Sequence, residues 1–232
     1  MIGEKALVLL SGGQDSSTCL LWALNNFESV ECVNIFYGQR HYKEVQAATS
    51  IAEYLGVKCK QFVLDFLSTI GDSALFLDNK DKDISSQHER NSSLPASFVP
   101  GRNIFFLTTA AAYAYKCGIH NIVTGVCQTD YSGYPDCRLS TIVSIQETLR
   151  RGLDEPKVTI FAPLMELTKK ETIELAIEQS PTRWKKVLSM SMTCYEGRFE
   201  PCGECPACKL RAKGFEEAGI EDPIFTKLRG EL

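Results

Sequence analysis

A short apolar run that ends at a pair of glycines constrains the fold of this chain more than any other feature. Residues 5–10 (KALVLL) are typical of a buried strand, residues 11–16 (SGGQDS) of a turn, and residues 15–27 of a helix with leucines on one face. Such a unit binds phosphate, because glycines let the backbone approach an anion and the first N–H groups of the helix face it. The opening segment therefore predicts a phosphate site.

Strand and helix patterns alternate through most of the remaining chain. Further strands are predicted at residues 30–36, 57–64, 121–125 and 158–161, and further helices at residues 41–55, 103–116, 141–153, 168–178 and 206–218. This alternation predicts an α/β fold, a Rossmann-like parallel sheet of about five strands with flanking helices. Residues 65–100 break the pattern, which indicates a lid, a binding loop or a partly disordered segment.

Length and charge narrow the class of protein. The 232 residues fit one α/β domain over residues 1–180 with a small helical segment over residues 181–232. The net charge of -4 leaves no overall attraction to nucleic acid, so no nucleic-acid partner is expected. No apolar run reaches the roughly 20 residues that span a bilayer. The N-terminus lacks the pattern of a signal peptide, so we expect a cytoplasmic protein without membrane association.

Four of the ten cysteines crowd near the C-terminus. Cys202, Cys205 and Cys208 follow a C-x2-C-x2-C pattern, and Cys194 lies shortly before them. Four thiolates within reach of one ion predict a closed, structural zinc site. An iron–sulfur cluster is the rival interpretation, because this spacing also occurs in ferredoxins, and free thiols are the third.

The SGGQDS loop is neither a Walker A sequence nor a GxGxxG motif. Asp15 is unexpected there, since a carboxylate repels phosphate; it makes sense as a helix cap or as a Mg²⁺ ligand. The string resembles the SGGxDS motif of the PP-loop ATP pyrophosphatases, which cleave ATP between the α and β phosphates and adenylate a carboxyl or amide oxygen. The resemblance implies ATP and Mg²⁺ as cofactors. The residues expected to bind them are Leu10, Ser11, Gly12, Gly13, Gln14, Asp15, Ser16, Ser17, Thr18, Cys19 and Gly125.

Four further motifs follow the predicted strands or the long loop. They are residues 37–40 (YGQR), 98–103 (FVPGRN), 125–138 (GVCQTDYSGYPDCR) and 163–165 (PLM). Together with SGGQDS and the four cysteines, they make the chain resemble the QueC family of 7-cyano-7-deazaguanine synthases over nearly its whole length. The fold implied is an adenine nucleotide alpha hydrolase-like sheet. Residues 65–94 lie outside the resemblance.

The resemblance implies a two-stage ligase that forms C–N bonds. ATP adenylates the carboxylate of 7-carboxy-7-deazaguanine, and ammonia displaces AMP to give the amide. A second ATP activates the amide oxygen, and loss of AMP gives the nitrile for queuosine synthesis. The family also implies a homodimer with one structural zinc ion per chain.

Roles for individual side chains follow as hypotheses. The predicted catalytic residues are Asp15, Lys169, which would stabilise departing pyrophosphate, and Arg102, which would pair with a carboxylate or a phosphate. For Asp130 and its neighbours the competing interpretation is a Gly- and Pro-rich turn, and for the arginines a surface ion pair. The residues expected to bind substrate are Tyr37, Gln39, Arg40, Arg102, Asn103, Asp130, Tyr131, Tyr134 and Asp136.

The three histidines show no nucleophile or metal spacing, so His41, His88 and His120 are interpreted as ordinary polar residues. Two other functions stay open from the residues alone. One is a PP-loop enzyme that thiolates tRNA, and the other is a non-enzymatic nucleotide sensor or zinc-ribbon scaffold.

Overall fold

A five-stranded parallel sheet forms the centre of the computed structural model, which describes residues 2–79, 81–129 and 134–231. Its order is β3-β2-β1-β6-β7, while β4 and β5 form a separate antiparallel hairpin. The strands are β1 (Gly3–Leu9), β2 (Phe27–Phe36), β3 (Lys58–Val63), β4 (Gln87–His88), β5 (Asn91–Pro95), β6 (Asn121–Val123) and β7 (Thr159–Phe161). The predicted parallel sheet is confirmed.

Helices cover both faces of the sheet. They are α1 (Gln14–Asn26), α2 (Lys43–Leu55), α3 (Leu67–Ile70), α4 (Arg102–Cys117), α5 (Leu139–Gly152), α6 (Lys169–Gln179), α7 (Trp184–Met190), α8 (Pro206–Ala218) and α9 (Pro223–Leu228). Each predicted helix is present with ends shifted by a few residues. The helices α3, α7 and α9 and the hairpin were not predicted. None of the described helices is long and apolar enough to cross a membrane.

The central strand explains why its sequence is apolar throughout. Ala6 and Val8 of β1 belong to a core cluster with α1, α2 and α6, whereas Leu7 packs on the opposite face with α4 and α5. A parallel strand covered on both faces has no polar side, because alternate side chains enter different cores. Strand β2 pairs with one edge of β1, and β6 later pairs with the other edge. Ligands of open α/β sheets bind at the carboxyl ends of strands beside such a switch in direction.

Residues 181–232 share the main core with the sheet. Trp184, Leu188 and Phe215 belong to the same buried cluster as residues of β1 and α1. Arg211 of α8, 2% exposed, forms an ion pair with Asp222 just before α9 and thus joins the C-terminal helices. The domain boundary at residue 180 stays a prediction.

The segment from residue 65 to 100 is a folded insertion across its described residues. Leu67, Leu75 and Phe76 of this insertion form a third buried cluster, which also contains Tyr37 and Cys205. The insertion therefore packs between the end of β2 and the cysteine-rich segment, where it can contribute a wall to a site at the sheet edge.

Candidate active site

The turn after β1 is held in a conformation that only glycine fits. Gly12 has a φ of +97°, and a Cβ added there would lie 2.2 Å from the carbonyl oxygen of Glu44. The carbonyl oxygen of Gly12 accepts a hydrogen bond of 2.8 Å from the backbone N–H of Met192. The loop is thus pressed between α2 and the C-terminal segment, which fixes its path before any ligand binds.

Hydroxyl groups brace the inside of this loop. Ser11 Oγ lies 3.0 Å from Ser16 Oγ and accepts a hydrogen bond of 3.2 Å from the N–H of Gly13. Gly13 is the N-cap of α1, and no side chain in the described part of the protein caps the first turn of that helix. Uncapped N–H groups and the positive end of the helix dipole favour an anion at this position. The geometry is that of a phosphate site.

Asp15 and Lys169 form the charged centre of the site. Lys169 Nζ donates to Asp15 Oδ2 at 2.6 Å, and the lysine side chain is only 10% exposed. The other carboxylate oxygen, Asp15 Oδ1, is buried and has no hydrogen-bond partner among the described residues. A buried carboxylate oxygen without a partner is costly, which fits it to a cation or a donor supplied by a ligand.

Close helix packing sets the position of Lys169. Lys169 is the first residue of α6, which begins with a capping box between Thr168 and Glu171. Helix α8 passes so near that a Cβ on Gly214 would lie 2.8 Å from Lys169 Cβ. The C-terminal segment therefore determines where this cation stands relative to the phosphate loop.

The remaining residues predicted to bind ATP divide into two groups. Leu10, Gln14 and Gly125 line a cavity beside the loop, as do Ser11, Gly13, Asp15 and Ser16. Ser17, Thr18 and Cys19 are fully buried on α1, and their side chains hydrogen-bond to backbone carbonyls of the protein. Those three support the helix rather than face the cavity, and Gly12 shapes the turn.

The cavity has a volume of about 480 Å³ and lies at the carboxyl ends of β1, β2 and β6. The insertion contributes Pro95 and Ser97 to its wall, and the C-terminal segment contributes Thr193, Tyr195 and Leu210. This volume lies within the range of small-molecule sites. Phosphate loop, insertion and cysteine-rich segment thus enclose one site.

Arg102 is a second cation of the cavity, and its guanidinium contacts aromatic rings. Its guanidinium lies 5.7 Å from the ring centroid of Tyr37 and 5.5 Å from that of Tyr134, and Nη1 donates to the Tyr37 hydroxyl at 3.3 Å. Among the described residues no carboxylate forms an ion pair with it. A half-buried guanidinium between two aromatic rings is suited to binding a ligand anion.

Two tyrosines beside Arg102 line the cavity. Burial raises the pKa of Tyr37 to about 12, so its hydroxyl keeps its proton near neutrality. The Tyr134 hydroxyl lies 2.6 Å from Ser97 Oγ, and its ring stacks on Phe98. Two aromatic rings beside a cation are suited to a flat, anionic ligand.

Other predicted substrate residues have partners within the protein. Gln39 Oε1 accepts from the Tyr37 N–H at 2.8 Å, and Asp136 Oδ2 accepts from the Asn103 N–H at 2.9 Å at the start of α4. Arg40 donates to the carbonyl of Ala74 and forms an ion pair with Glu196. Gln39 and Asn103 line the cavity, whereas Arg40 and Asp136 do not. The substrate roles of all four stay predictions. Asp130 and Tyr131 lie outside the described residues.

The structure also places two side chains in the cavity that the sequence did not single out. His41 Nε2 lies 3.1 Å from Glu44 Oε2, and both side chains are at least 85% buried. His41 Nδ1 has no hydrogen-bond partner in the described part of the chain. The interpretation of His41 as an ordinary polar residue therefore misses a buried histidine–glutamate pair. The i, i+3 spacing at the start of α2 was the available signal.

The four C-terminal cysteines converge. The sulfur atoms of Cys194, Cys202, Cys205 and Cys208 all lie within 4.8 Å of one another, and those of Cys202 and Cys208 are 3.9 Å apart. Tetrahedral Zn²⁺ with Zn–S bonds of about 2.3 Å places its sulfurs about 3.8 Å apart. The four residues therefore fit a single metal ion.

Comparisons with known proteins agree over the length of the chain. The family model described as "Queuosine biosynthesis protein QueC" matches residues 5–219. The 7-cyano-7-deazaguanine synthase of Chromobacterium violaceum is 47% identical over 232 residues, covering 98% of this chain and 96% of its own. The enzyme of that name from Bacillus subtilis is 47% identical, with 92% and 94% covered.

Likeness to solved structures is weaker. A 4-thiouridine synthetase in complex with RNA and ATP superposes with a TM-score of 0.46 at 17% identity, covering 98% of this chain and 53% of the other, which is too distant to carry an argument. The family match and the two close relatives decide the assignment. The chain belongs to the QueC family.

Proposed function

We propose that this chain converts 7-carboxy-7-deazaguanine and ammonia to 7-cyano-7-deazaguanine with two molecules of ATP. The observation that carries the proposal is the cavity that joins the phosphate loop to Arg102, whose guanidinium forms no ion pair with a carboxylate of the described residues. One end fits the phosphates of ATP, and the other fits a small aromatic carboxylate. Relatives that are 47% identical bear the name of this synthase.

Charge neutralisation at the phosphates is the main contribution of this site to adenylation. The N–H groups at the start of α1 and the ammonium of Lys169 stabilise the negative charge that develops on departing pyrophosphate. Asp15 orients Lys169 through one oxygen, and its second oxygen would hold Mg²⁺. The metal, when bound, would neutralise charge shared between the phosphates.

Arg102 and its flanking rings would orient the acceptor. A guanidinium paired with the substrate carboxylate aims one of its oxygens at the α phosphate of ATP. The rings of Tyr37 and Tyr134 would stack on the deazaguanine. The amide formed in the first stage keeps the same ring contacts, so it can react a second time in the same cavity.

Incubation with ATP, Mg²⁺, ammonium and the carboxy-deazaguanine tests the proposal. We expect mass spectrometry to detect the amide first and then the nitrile, with AMP and pyrophosphate as the nucleotide products. A preparation that yields neither amide nor nitrile contradicts the assignment.

Replacing Arg102 with methionine is expected to raise the KM for the acid by about 10- to 100-fold, because a hydrogen-bonded ion pair contributes about 1.5–3 kcal/mol. The KM for ATP should change little. Exposed Arg90 of the insertion, changed to methionine, is the matched control and should leave both constants unchanged. Equal rises in both KM values for Arg102→Met would show that Arg102 binds phosphate instead.

We further propose that the metal is structural zinc, one ion per chain. Sulfurs this close fit one ion better than a cluster of four irons, which holds its ligands farther apart. Cys205→Ser is expected to lose the ion and to unfold at lower urea concentration, whereas Cys59→Ser on β3 should keep it. Elemental analysis of the purified variants measures this, and an iron–sulfur absorption band in wild type would contradict it.

A homodimer, a cytoplasmic location and the absence of a nucleic-acid partner complete the proposal. Exposed apolar side chains on α4 and α5, among them Ile104, Tyr115, Leu139 and Val143, offer a surface for a second copy. A free base as substrate requires no contact with RNA.

A further inference from the structure

A buried histidine–glutamate pair in the cavity is not used by the adenylation chemistry above. His41 lies in the connection between β2 and α2, and Glu44 lies three residues later in the first turn of α2. The imidazole Nε2 and the carboxylate Oε2 are 3.1 Å apart. Glu44 also abuts the phosphate loop, because a Cβ added to Gly13 would lie 3.2 Å from its Oε1. The pair therefore stands beside the position of the ATP phosphates.

The second ring nitrogen of His41, Nδ1, has no hydrogen-bond partner among the described residues. A proton on Nε2 would face Glu44 and leave Nδ1, which is buried, with a lone pair. A buried acceptor without a donor costs free energy unless a ligand supplies the hydrogen. Both residues line the cavity into which a ligand N–H would enter.

Other groups around His41 are poor proton acceptors. Tyr37 and Tyr195 face the imidazole ring at 6.5 Å and 5.9 Å, and burial raises the pKa of both phenols. The neighbouring Arg40 is paired with Glu196. The carboxylate of Asp15 in the phosphate loop forms an ion pair with Lys169. An imidazole held by a carboxylate is a common arrangement for a general base near neutral pH.

We infer that His41 Nδ1 is the base that deprotonates the ammonium substrate, with Glu44 as the positioning residue that stabilises the resulting imidazolium. The inference rests on the proposed function and adds the subsite of its second substrate. Ammonium gives one proton to Nδ1. The freed lone pair forms the C–N bond to the acyl carbon, and the C–O bond to AMP breaks with its electrons leaving on AMP. The attacking nitrogen then loses a second proton to solvent, which leaves the neutral amide.

The same base serves the second stage. The adenylated amide must lose its N–H protons as the bond to AMP breaks and the nitrile forms. A base positioned at the nitrogen in the first stage is adjacent to that same nitrogen in the second. Removal of His41 should therefore slow both nitrogen steps while leaving adenylation intact.

Changing the nucleophile tests the role of His41. Ammonium must lose a proton before it attacks, whereas hydroxylamine is largely unprotonated at neutral pH and needs no base to become nucleophilic. For His41→Asn we expect amide formation to fall by about 100-fold or more. Hydroxamate formation and acid-dependent pyrophosphate release should stay within about threefold of wild type. Raising the pH, which supplies free ammonia, should restore much of the amide formation.

His120→Asn is the matched control. His120 also lies near a glutamate, with Nδ1 3.7 Å from Glu155 Oε2, but it is partly exposed and far from the cavity lining. This variant should behave as wild type. Glu44→Gln, which keeps shape and hydrogen bonding, should lower amide formation less than His41→Asn does and should leave hydroxamate formation intact.

The outcomes separate the inference from the proposed function. Unchanged amide formation in His41→Asn overturns the inference, and so does an equal loss of amide, hydroxamate and pyrophosphate, which indicates a structural role. A wild-type chain that releases no acid-dependent pyrophosphate overturns the proposed function and the inference with it.

Discussion

Lys169→Met is expected to lower acid-dependent pyrophosphate release by about 100- to 1000-fold, which is the loss typical when one preorganised charge is removed from a transition state. Lys169 is nearly buried, and its ammonium is fixed on Asp15 at 2.6 Å. Its removal leaves the departing pyrophosphate without that cation and leaves a buried carboxylate beside the phosphates. Initial rates of pyrophosphate release at saturating acid and ATP measure the effect.

Lys170→Met is the matched control for this prediction. Lys170 is the next residue on α6, but it is 45% exposed and pairs with the half-exposed Glu174 one turn away. The control should keep the wild-type rate, because a solvated surface ion pair contributes little. Equal rates for Lys169→Met and wild type would remove Lys169 from the catalytic machinery.

Arg211→Met is expected to lower the free energy of unfolding by about 3–5 kcal/mol, the usual cost when one partner of a buried ion pair is removed. Arg211 forms two hydrogen bonds to Asp222, at 2.6 and 2.8 Å, and others to Ser191 Oγ, Thr193 Oγ1 and the carbonyl of Leu188. Without the guanidinium, the buried carboxylate of Asp222 loses its countercharge. Urea unfolding followed by circular dichroism measures the change.

Arg229→Met provides the comparison on the surface of the same segment. Arg229 pairs with Glu221 and Glu231, and all three side chains are close to half exposed. Its loss should change stability by less than about 1 kcal/mol. If the two variants unfold at the same urea concentration, Arg211 does not hold α7, α8 and α9 together as described.

The sequence was sufficient for features that local patterns encode. The apolar runs at residues 5–10 and 30–36 led to the correct strands, since alternation between strand and helix leaves few arrangements of a parallel sheet. The spacing of the cysteines predicted that their sulfur atoms meet. Ligands that are close in the sequence can surround one ion without contacts from distant parts of the fold. The SGGQDS loop lies between β1 and α1 as predicted, and its assignment to phosphate stays a prediction.

Features created by long-range packing could not be predicted in this way. The structure pairs Asp136 with the first turn of α4, a partner 33 residues earlier in the chain, and this contact has no signal in the sequence. Gly214 has no sequence pattern that connects it to Lys169, yet it permits the approach of α8. The position of the His41–Glu44 pair in the cavity could not be predicted, because residues of the distant C-terminal segment form part of the cavity wall.

Oxygen labelling tests the central claim, that one cavity adenylates first a carboxylate and then an amide. The acid is supplied with ¹⁸O in both carboxylate positions, together with unlabelled ATP, Mg²⁺ and ammonium. If each oxygen of the acid attacks the α phosphate in turn, each departing AMP carries one ¹⁸O, and two labelled AMP molecules form per nitrile. Pyrophosphate stays unlabelled. Labelled pyrophosphate or inorganic phosphate, or nitrile formed without label in AMP, would contradict the account.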